Sequence, residues 1–421
     1  MSQADANARD VFRLRGYLPF WAAETVSGFG SYVTTLALQV LVVTTLSGTA
    51  ADVGFLNASR WLPYLLFGLV VGVFVDRRRR KPILVFTDLA CAVLLGLIPL
   101  FWLWGVLTLP ILLGFVAGFG CFSLLNDAAS MSFLPRLVPR STLLAANARL
   151  DQSSAVAQTS GPLVAGGLVA LLGAPLAVLI DAASYLFSAA SISRIRISEP
   201  SMPADAPRAS LKRELGEGLR WVYRHRTLAP LAITGHGWFL FNSMLITVFV
   251  PFMLLRLQLN VFELGITLAA AGVTGLLGSL FATRLGMRLG VGRVVIASQA
   301  LMPIAWAVIA LVPTTSAVHG HAIVVVVACI GQGLYGLALG LSNANEMGYR
   351  QAITPDALQG RVNITIRSIN RAMIVIGAPL GGLLADSIGY RQTLWIAIAG
   401  FVVVTIILAA SPFRHARHGD V

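Results

Sequence analysis

Twelve apolar segments of about twenty residues each follow one another along the chain, and they restrict the fold more than any other feature. Roughly 20 helical residues cross a bilayer core, and only elements that satisfy their own backbone polar groups span it. The segments are predicted at 17–46, 53–75, 82–104, 109–133, 151–172, 175–193, 228–255, 264–283, 294–312, 321–346, 362–385 and 392–410. Because 57% of the 421 residues are hydrophobic and only 12% are charged, the sequence predicts an all-α membrane protein.

The basic residues indicate how these segments are threaded. With the amino terminus in the cytoplasm, Arg256 and Arg391 lie outside and Arg60, Arg367 and Arg371 lie within segments, which leaves 26 of the 31 Lys and Arg on the cytoplasmic side. Positive charge beside a span marks that side. We therefore expect both termini in the cytoplasm. The net charge of +13 then reflects topology and attraction to membrane lipid rather than binding of nucleic acid.

The loop between the second and third segments carries the most distinctive motif. It reads Gly-Val-Phe-Val-Asp-Arg-Arg-Arg-Arg-Lys over residues 72–81. An acid followed by five bases is too costly to place in hydrocarbon, so this loop is expected in water. The pattern Gly-x-x-x-Asp-Arg-x-x-Arg-Lys at this place resembles the loop motif of the major facilitator superfamily of transporters. That family usually has glycine where this chain has Arg79.

The stretch 197–227 is the one long connection. Its first part has linker composition, and Ser210 is then placed to cap an amphipathic helix that lies in the membrane interface. The run from Leu211 to His225 resembles the mid-loop of the branch that holds drug, macrolide and siderophore exporters. We predict an N-terminal six-helix bundle at 1–196, a cytoplasmic linker at 197–227 and a C-terminal six-helix bundle at 228–421.

A repeat relates the two predicted bundles. The following residues align at a constant offset of 216: Pro139, Asn147, Gly161, Gly166 and Gly173 with Pro355, Asn363, Gly377, Gly382 and Gly389. Repeats of this kind are a transporter layout, with the substrate bound near the midplane. Together with the resemblance, the repeat implies the major facilitator fold: twelve transmembrane helices in two pseudo-symmetric bundles.

Two acids are candidates for proton coupling. A proton-driven transporter needs a titratable group within the membrane. Glu24 lies ~10 Å into the first segment, and related exporters often carry an acid there; a purely structural, hydrogen-bonded acid is the alternative. Asp127 either lines the cavity or makes polar contacts between helices. Asp88 is expected to neutralise the basic loop.

The substrate cavity is predicted from polar residues deep in the segments. The motif Ser-x-x-Asn-Asp ending at Asp127 resembles Ser-x-x-Asn-Glu ending at Glu346, which gives one amide–acid pair in each half. Arg367 and Arg371 are one helical turn apart and would attract an anionic substrate or pair with an acid. The predicted cavity residues are Asn126, Asn345, Glu346, Arg367 and Arg371. For Glu346, an ion pair with Arg350 is the alternative.

Two further motifs take their roles from the resemblance. In the family, the loop after the second segment latches the halves together on the cytoplasmic side, which implies a gate formed by Asp76, Arg77 and Arg80. The charges of this loop can also act as a signal that sets the membrane topology, and the two roles are compatible. The run Gly161-Pro162-Leu-Val-Ala-Gly166-Gly167 resembles the antiporter motif Gly-Pro-x-x-Gly-Gly with one extra residue. Close helix packing by small residues is an equal alternative.

The energy source is predicted to be an ion gradient. The chain has no Gly-Lys-Ser/Thr phosphate loop that would bind ATP, and its Cys and His lack ligand spacing, so we expect no metal and no cofactor. The sequence shows no cluster of catalytic groups at the membrane interface, so we expect no enzyme activity. We predict a monomeric secondary transporter of the bacterial inner membrane. It would export a hydrophobic small molecule (drug, antibiotic or siderophore) in exchange for protons by alternating access. The alternatives are a proton-coupled uptake symporter, a lipid or lysolipid flippase and a receptor that does not transport.

Overall fold

Twelve long helices are present in the part of the chain that the structure describes. The structure is a computed structural model that describes residues 11–197, 211–313 and 321–417, apart from the side chains at 69, 73, 76, 211–215, 356 and 357. The helices are α1 Tyr17–Val40, α2 Ala50–Asp76, α3 Arg80–Leu103, α4 Leu109–Leu137, α5 Leu143–Leu172, α6 Ala174–Ser193, the short α7 Leu211–Arg224, α8 Leu228–Pro251, α9 Val261–Leu289, α10 Val291–Ala310, α11 His321–Ile353, α12 Asp356–Ile388 and α13 Tyr390–Ala410. Over the described residues, eleven of the long helices are long and apolar enough to cross a membrane. The other, α2, has 27 residues.

Large apolar side chains cover much of the outer surface of these helices. Leu66, Phe86, Leu171, Leu280 and Ile406 are each at least 58% exposed. A soluble protein rarely leaves such side chains exposed in contiguous patches. The surface is therefore one that lipid covers, which agrees with the predicted all-α membrane fold.

The chain divides into two compact units. The first comprises Met1–Leu41 and Ser59–Ala206, and the second comprises Val42–Ala58 and Pro207–Val421. In the first unit α1 packs on α5 and α6, and α3 packs on α4 and α6; in the second α9 packs on α11, α8 on α12, and α10 on α11 and α13. The corner between α1 and α2 thus belongs with the second unit, a grouping that the sequence did not suggest.

The predicted repeat is visible in the local backbone. Gly173 ends α5 with φ 79° and ψ 156°, and Gly389 ends α12 with φ 103° and ψ 157°. This left-handed φ is one that glycine adopts without a steric penalty. The aligned prolines before these two helices also agree, because Pro139 has φ −59° and ψ 148° and Pro355 has φ −54° and ψ 141°.

A second repeat lies where α1 and α8 end. Each helix closes with a π-helical turn, at Leu41–Thr45 and Phe252–Arg256. A residue with positive φ follows each turn, Ser47 at 51° and Gln258 at 55°. The next helix in each copy starts with a capping box: the side chain of the first residue accepts from the backbone N–H three residues later, and the side chain of that later residue accepts from the backbone N–H of the first. The pairs are Thr49 with Asp52, and Asn260 with Glu263. A constant offset of 211 relates all these positions.

Several helices extend beyond the predicted spans. Helix α5 begins at Leu143 rather than 151, and α12 begins at Asp356 rather than 362. Polar residues continue a helix once it leaves the hydrocarbon, so the apolar run marks the span and not the helix end. The predicted amphipathic helix is present as α7. Its Val222 is fully buried in a cluster with Leu228 and Tyr349, so part of its apolar face packs on protein. The linker residues before it, including Ser210, lie outside the described residues.

Candidate functional site

Glu24 lies in a polar site inside the first unit. Helix α1 places it seven residues after Tyr17, and its side chain is half-buried. The hydroxyl of Ser130 on α4 donates a 2.6 Å hydrogen bond to Oε1 of Glu24. The carboxylates of Asp88 and Asp127 are near enough to interact electrostatically with Glu24. Three acids therefore share one region of this unit.

Asp88 is the most buried of these three acids, with 2% of its surface exposed. Its Oδ1 accepts a 2.7 Å hydrogen bond from Nδ2 of Asn126, and its Oδ2 accepts a 2.6 Å bond from the Ser188 hydroxyl. Asn126 also donates to the hydroxyl of Thr87 at 2.9 Å. The expectation that Asp88 neutralises the basic loop is wrong, because helix packing turns its carboxylate towards α4 and α6. Asn126 contacts Asp88 within the protein.

Asp127 follows Asn126 but lies on another face of α4. Successive helical residues point about 100° apart, so the amide is half-buried while the carboxylate is exposed. The hydroxyl of Tyr64 on α2 donates a 2.7 Å hydrogen bond to Oδ2 of Asp127. Glu24 and Asp127 are thus both held by hydroxyl groups in one unit, and neither is an isolated acid.

The basic loop is a three-residue turn between α2 and α3. It is closed by a 3.1 Å hydrogen bond from the Arg78 N–H to the Val75 carbonyl. Arg79 has φ −70° and ψ 129°, so this turn does not use the left-handed conformation that a glycine would supply. Arg80 is 4% exposed and donates to the Arg78 carbonyl at 2.9 Å, whereas Arg77 is exposed. The side chain of Asp76 lies outside the described residues.

The first glycine of the motif on α5, Gly161, faces α1. A Cβ built on Gly161 would lie 2.8 Å from the Tyr32 ring, but one built on Gly167 would meet nothing within 4 Å. Gly166 is buried, and Pro162 lies inside the helix. Gly161 therefore permits close contact between α1 and α5, and the role of the remaining motif in antiport stays a prediction.

The second unit contains a cavity of about 340 Å³ between α8, α10, α11 and α12. Part of its lining is apolar and includes Trp238 and Met302. The indole Nε1 of Trp238 donates to the Met302 sulfur at 3.0 Å, and its ring stacks on Phe401 with an interplanar angle of 4°. The lining also carries Glu346, Arg350, Arg367, Asn370 and Arg371. The volume is at the lower end of the range for small-molecule sites.

Three of the five predicted cavity residues therefore line one space, whereas Asn126, in the first unit, and Asn345 do not. Glu346, Arg367 and Arg371 border the cavity. Asn345 is 1% exposed, and its Nδ2 donates to the Ala282 carbonyl at 3.0 Å and the Leu341 carbonyl at 2.9 Å. It packs α11 against α9 instead of facing the cavity.

Asn370 is a cavity residue that the sequence reasoning missed. Its position three residues after Arg367 places it on the same helix face, and this spacing was the available signal. Its Oδ1 contacts Nδ1 of His236 at 2.7 Å, and Nε2 of His236 contacts the Tyr223 hydroxyl at 2.7 Å. Because the amide oxygen only accepts, His236 donates through Nδ1, and in the neutral imidazole its Nε2 then accepts from Tyr223. This chain fixes the orientation of the Asn370 amide.

Comparison with known proteins matches the chain over nearly its whole length. The family described as transmembrane secretion effector matches residues 8–421. The multidrug efflux pump Tap of Mycolicibacterium fortuitum is 27% identical over 387 residues, which cover 88% of this chain and 89% of the pump. Macrolide efflux protein A of Streptococcus pyogenes is 23% identical over 415 residues, which cover 96% and 97%.

Solved structures share the fold. The nucleoside transporter NupG has a TM-score of 0.70 at 16% identity and covers 94% of this chain and 98% of its own. A bacterial homologue of the human lysosomal transporter Spinster has a TM-score of 0.70 at 15% identity, with coverages of 93% and 95%. Identities this low show the architecture of the helices and leave the substrate to be argued from the site.

Proposed function

Because this chain belongs to the transmembrane secretion effector family of major facilitator transporters, we propose that it exports a hydrophobic small molecule in exchange for protons. Its relatives are transporters, not enzymes. Two of them are named for multidrug efflux and macrolide efflux, which supports the outward direction and an apolar substrate. The apolar wall of the cavity in the second unit, which includes Trp238 and Met302, supports the same substrate class.

The observation that carries the proton coupling is the 2.6 Å hydrogen bond between Ser130 and Glu24. A carboxylate accepts from the hydroxyl, and a protonated carboxyl donates to it, so Ser130 satisfies Glu24 in either state. A group that loads and releases protons within a membrane needs such a partner, because an unsatisfied polar group is costly there. Asp127 supplies a second carboxyl in the same unit.

Substrate export is coupled to proton entry if the protein binds the substrate and the proton alternately. In the proposed cycle Glu24 or Asp127 takes up a proton from the outer side and releases it to the cytoplasm. The substrate leaves its cavity to the outside in the same cycle. The two units then have different roles, since the first binds protons and the second binds the substrate through residues such as Arg367 and Arg371. Exchange is coupled if the protein switches between its outward-open and inward-open states only when it carries either the substrate or the proton.

The experiment is a transport assay in a bacterium that lacks its own efflux pumps. Cells that make the protein should accumulate less of a hydrophobic fluorescent compound, and a protonophore should remove the difference. Proteoliposomes with an imposed pH gradient should show the same dependence. Proton-driven accumulation inside cells would indicate an uptake symporter. Transport that follows the lipid headgroup and ignores pH would indicate a flippase.

We also propose that the protein is a monomer in the bacterial inner membrane with both termini in the cytoplasm. The uneven distribution of Lys and Arg along the chain supports the orientation of the termini. In the described structure the exposed Arg77, Arg78 and Arg79 lie at one end of α2 and α3. A cysteine placed beside them should react with a membrane-impermeant maleimide only after the cells are opened.

A further inference from the structure

The cavity in the second unit carries an excess of positive charge. Among the described residues, four ionisable side chains line it: Glu346, Arg350, Arg367 and Arg371. Arginine stays protonated in proteins, so three positive charges face one group that can be negative. Charges within a membrane protein are costly and mark pathways for substrates or ions. This imbalance favours a guest that brings negative charge.

The hydrogen-bonding groups of the cavity point to the same kind of guest. The Nε of Arg350 is buried, and no hydrogen-bond partner for it is present among the described residues. A buried N–H without an acceptor costs free energy, so an anionic oxygen at this place would remove that cost. The Oδ1 of Asn370 is engaged by His236, which leaves its NH₂ group to donate. Arginine and amide donors together suit an oxyanion.

The apolar part of the cavity lining, the wall around Trp238, limits what the anion can be. Trp238 is held by its hydrogen bond to Met302 and its stacking on Phe401, so it presents a fixed aromatic surface. Phe239 and Met347 extend the apolar lining. A small inorganic anion would leave this wall without a contact. A guest with an aromatic or branched apolar body would cover it.

We propose that this cavity binds an amphipathic anion: an organic molecule with an apolar, preferably aromatic body and one carboxylate, phosphate or sulfonate group. Arg350, Arg367 and Arg371 receive the acidic group, and the wall around Trp238 receives the body. This inference rests on the proposed export function and names its substrate class. An inside-negative membrane potential also favours outward movement of an anion, which agrees with export.

The test compares ligands that share a body and differ in charge. Matched sets built on naphthalene, biphenyl and pyrene each contain the carboxylic acid, its methyl ester and the corresponding aminomethyl compound. Equilibrium dialysis measures their binding to the purified full-length protein in nanodiscs of neutral lipid at pH 7.5. The acids are expected to bind at least about tenfold more tightly than the esters and amines. Added salt should weaken the acids most, because it screens charge.

Variants assign the effect to the cavity. Arg367→Gln and Arg371→Gln should each weaken binding of the acid by about tenfold and leave binding of the ester unchanged. The double variant Arg284→Gln with Arg288→Gln removes two arginines of α9, which do not border the cavity, and should bind as the wild type does. Arg367→Glu should shift the preference towards the amine, a gain that an unfolded protein would not show.

The outcomes separate this inference from the proposed function. Equal binding of all three charge types in every set, preference for the amines, or no binding of any acid would overturn the amphipathic anion. Arginine-dependent binding of acids without proton-driven transport would overturn the exchange with protons and leave the substrate class standing. Proton-driven export of amines alone would overturn the amphipathic anion and leave the exchange with protons standing.

Discussion

The hydroxyl of Ser130 on α4 donates a 2.6 Å hydrogen bond to Oε1 of Glu24 on α1. If Glu24 carries the coupled proton, Glu24→Gln should reduce proton-driven transport about tenfold or more. The amide oxygen still accepts from Ser130, so the fold is retained, but glutamine has no proton to exchange. The measurement is transport into proteoliposomes as a function of the pH gradient, with substrate binding measured in parallel.

The control for this variant is a matched loss of charge elsewhere. Asp151→Asn removes an exposed acid from α5 in the same unit and should leave transport unchanged. Ser130→Ala keeps the carboxyl but removes its partner, and should change the pH at which transport is half-maximal. Retention of the full pH dependence by Glu24→Gln would remove Glu24 from the coupling mechanism.

The glycine motif on α5 offers a pair of substitutions that separates packing from helix propensity. In Gly161→Ala the new Cβ would lie 2.8 Å from the Tyr32 ring, whereas in Gly167→Ala it would meet nothing within 4 Å. Overpacking costs about 1–3 kcal/mol, while Gly to Ala in a helix gains about 0.5–1 kcal/mol. Gly161→Ala should therefore lower the melting temperature of the purified protein, and Gly167→Ala should hold or raise it.

Equal melting temperatures for the two alanine variants would show that α1 adjusts and that Gly161 is not a packing residue. Transport then tests the other interpretation of the motif. If Gly167→Ala abolishes proton exchange while the protein remains stable, the run from Gly161 to Gly167 acts in antiport beyond its packing.

The fold was predictable because the features that determine it repeat in the sequence. Apolar runs marked the spans, and the offset of 216 linked Gly173 to Gly389, which adopt the same backbone conformation. The second repeat, at offset 211, was not predictable in this way. Its left-handed residues are Ser47 and Gln258 rather than glycine, and its caps use Thr49 and Asp52 in one copy but Asn260 and Glu263 in the other. The backbone geometry repeats there although the residue types differ.

The candidate site was predictable where helix spacing alone determines which residues share a face. Arg367 and Arg371, one turn apart, border one cavity. Asn345 and Glu346 are adjacent, so about 100° of helical rotation separates them, and only Glu346 borders the cavity. The partners of Asp88 were not predictable, since Asn126 and Ser188 come from helices whose relative rotation depends on packing.

His225 lies between α7 and α8, where its Nδ1 accepts from the backbone N–H of Leu228 at 3.3 Å. Burial lowers the pKa of His225 from its ordinary 6.5. The folded state therefore binds a proton on His225 less tightly than the unfolded state does. The stability that the neutral imidazole contributes is present above pH 6.5 and is lost as the pH falls through the lowered pKa. Amide hydrogen exchange at the start of α8 should be faster at pH 5 than at pH 7.5, after correction for the intrinsic rate.

Glutamine at position 225 would supply a hydrogen-bond acceptor that does not titrate. His225→Gln should remove much of the pH dependence of exchange at Leu228, whereas His415→Gln, which changes an exposed histidine, should leave it intact. The same pH response in His225→Gln and in the wild type would assign the response to another group.

The carboxylate of Asp386 on α12 accepts from the first N–H groups of α2, at 3.1 Å from Ala50 and 2.9 Å from Ala51. A negative group at a helix N-terminus satisfies N–H groups that lack a helical partner and interacts favourably with the helix dipole. Asp386→Ala should therefore cost about 0.5–2 kcal/mol locally. Hydrogen exchange at Ala50 and Ala51 should accelerate by up to about 30-fold. Ser387→Ala is the matched control, because its hydroxyl bonds to the Leu384 carbonyl within α12. Unchanged exchange in Asp386→Ala would show that water replaces the carboxylate and that Asp386 does not hold this corner.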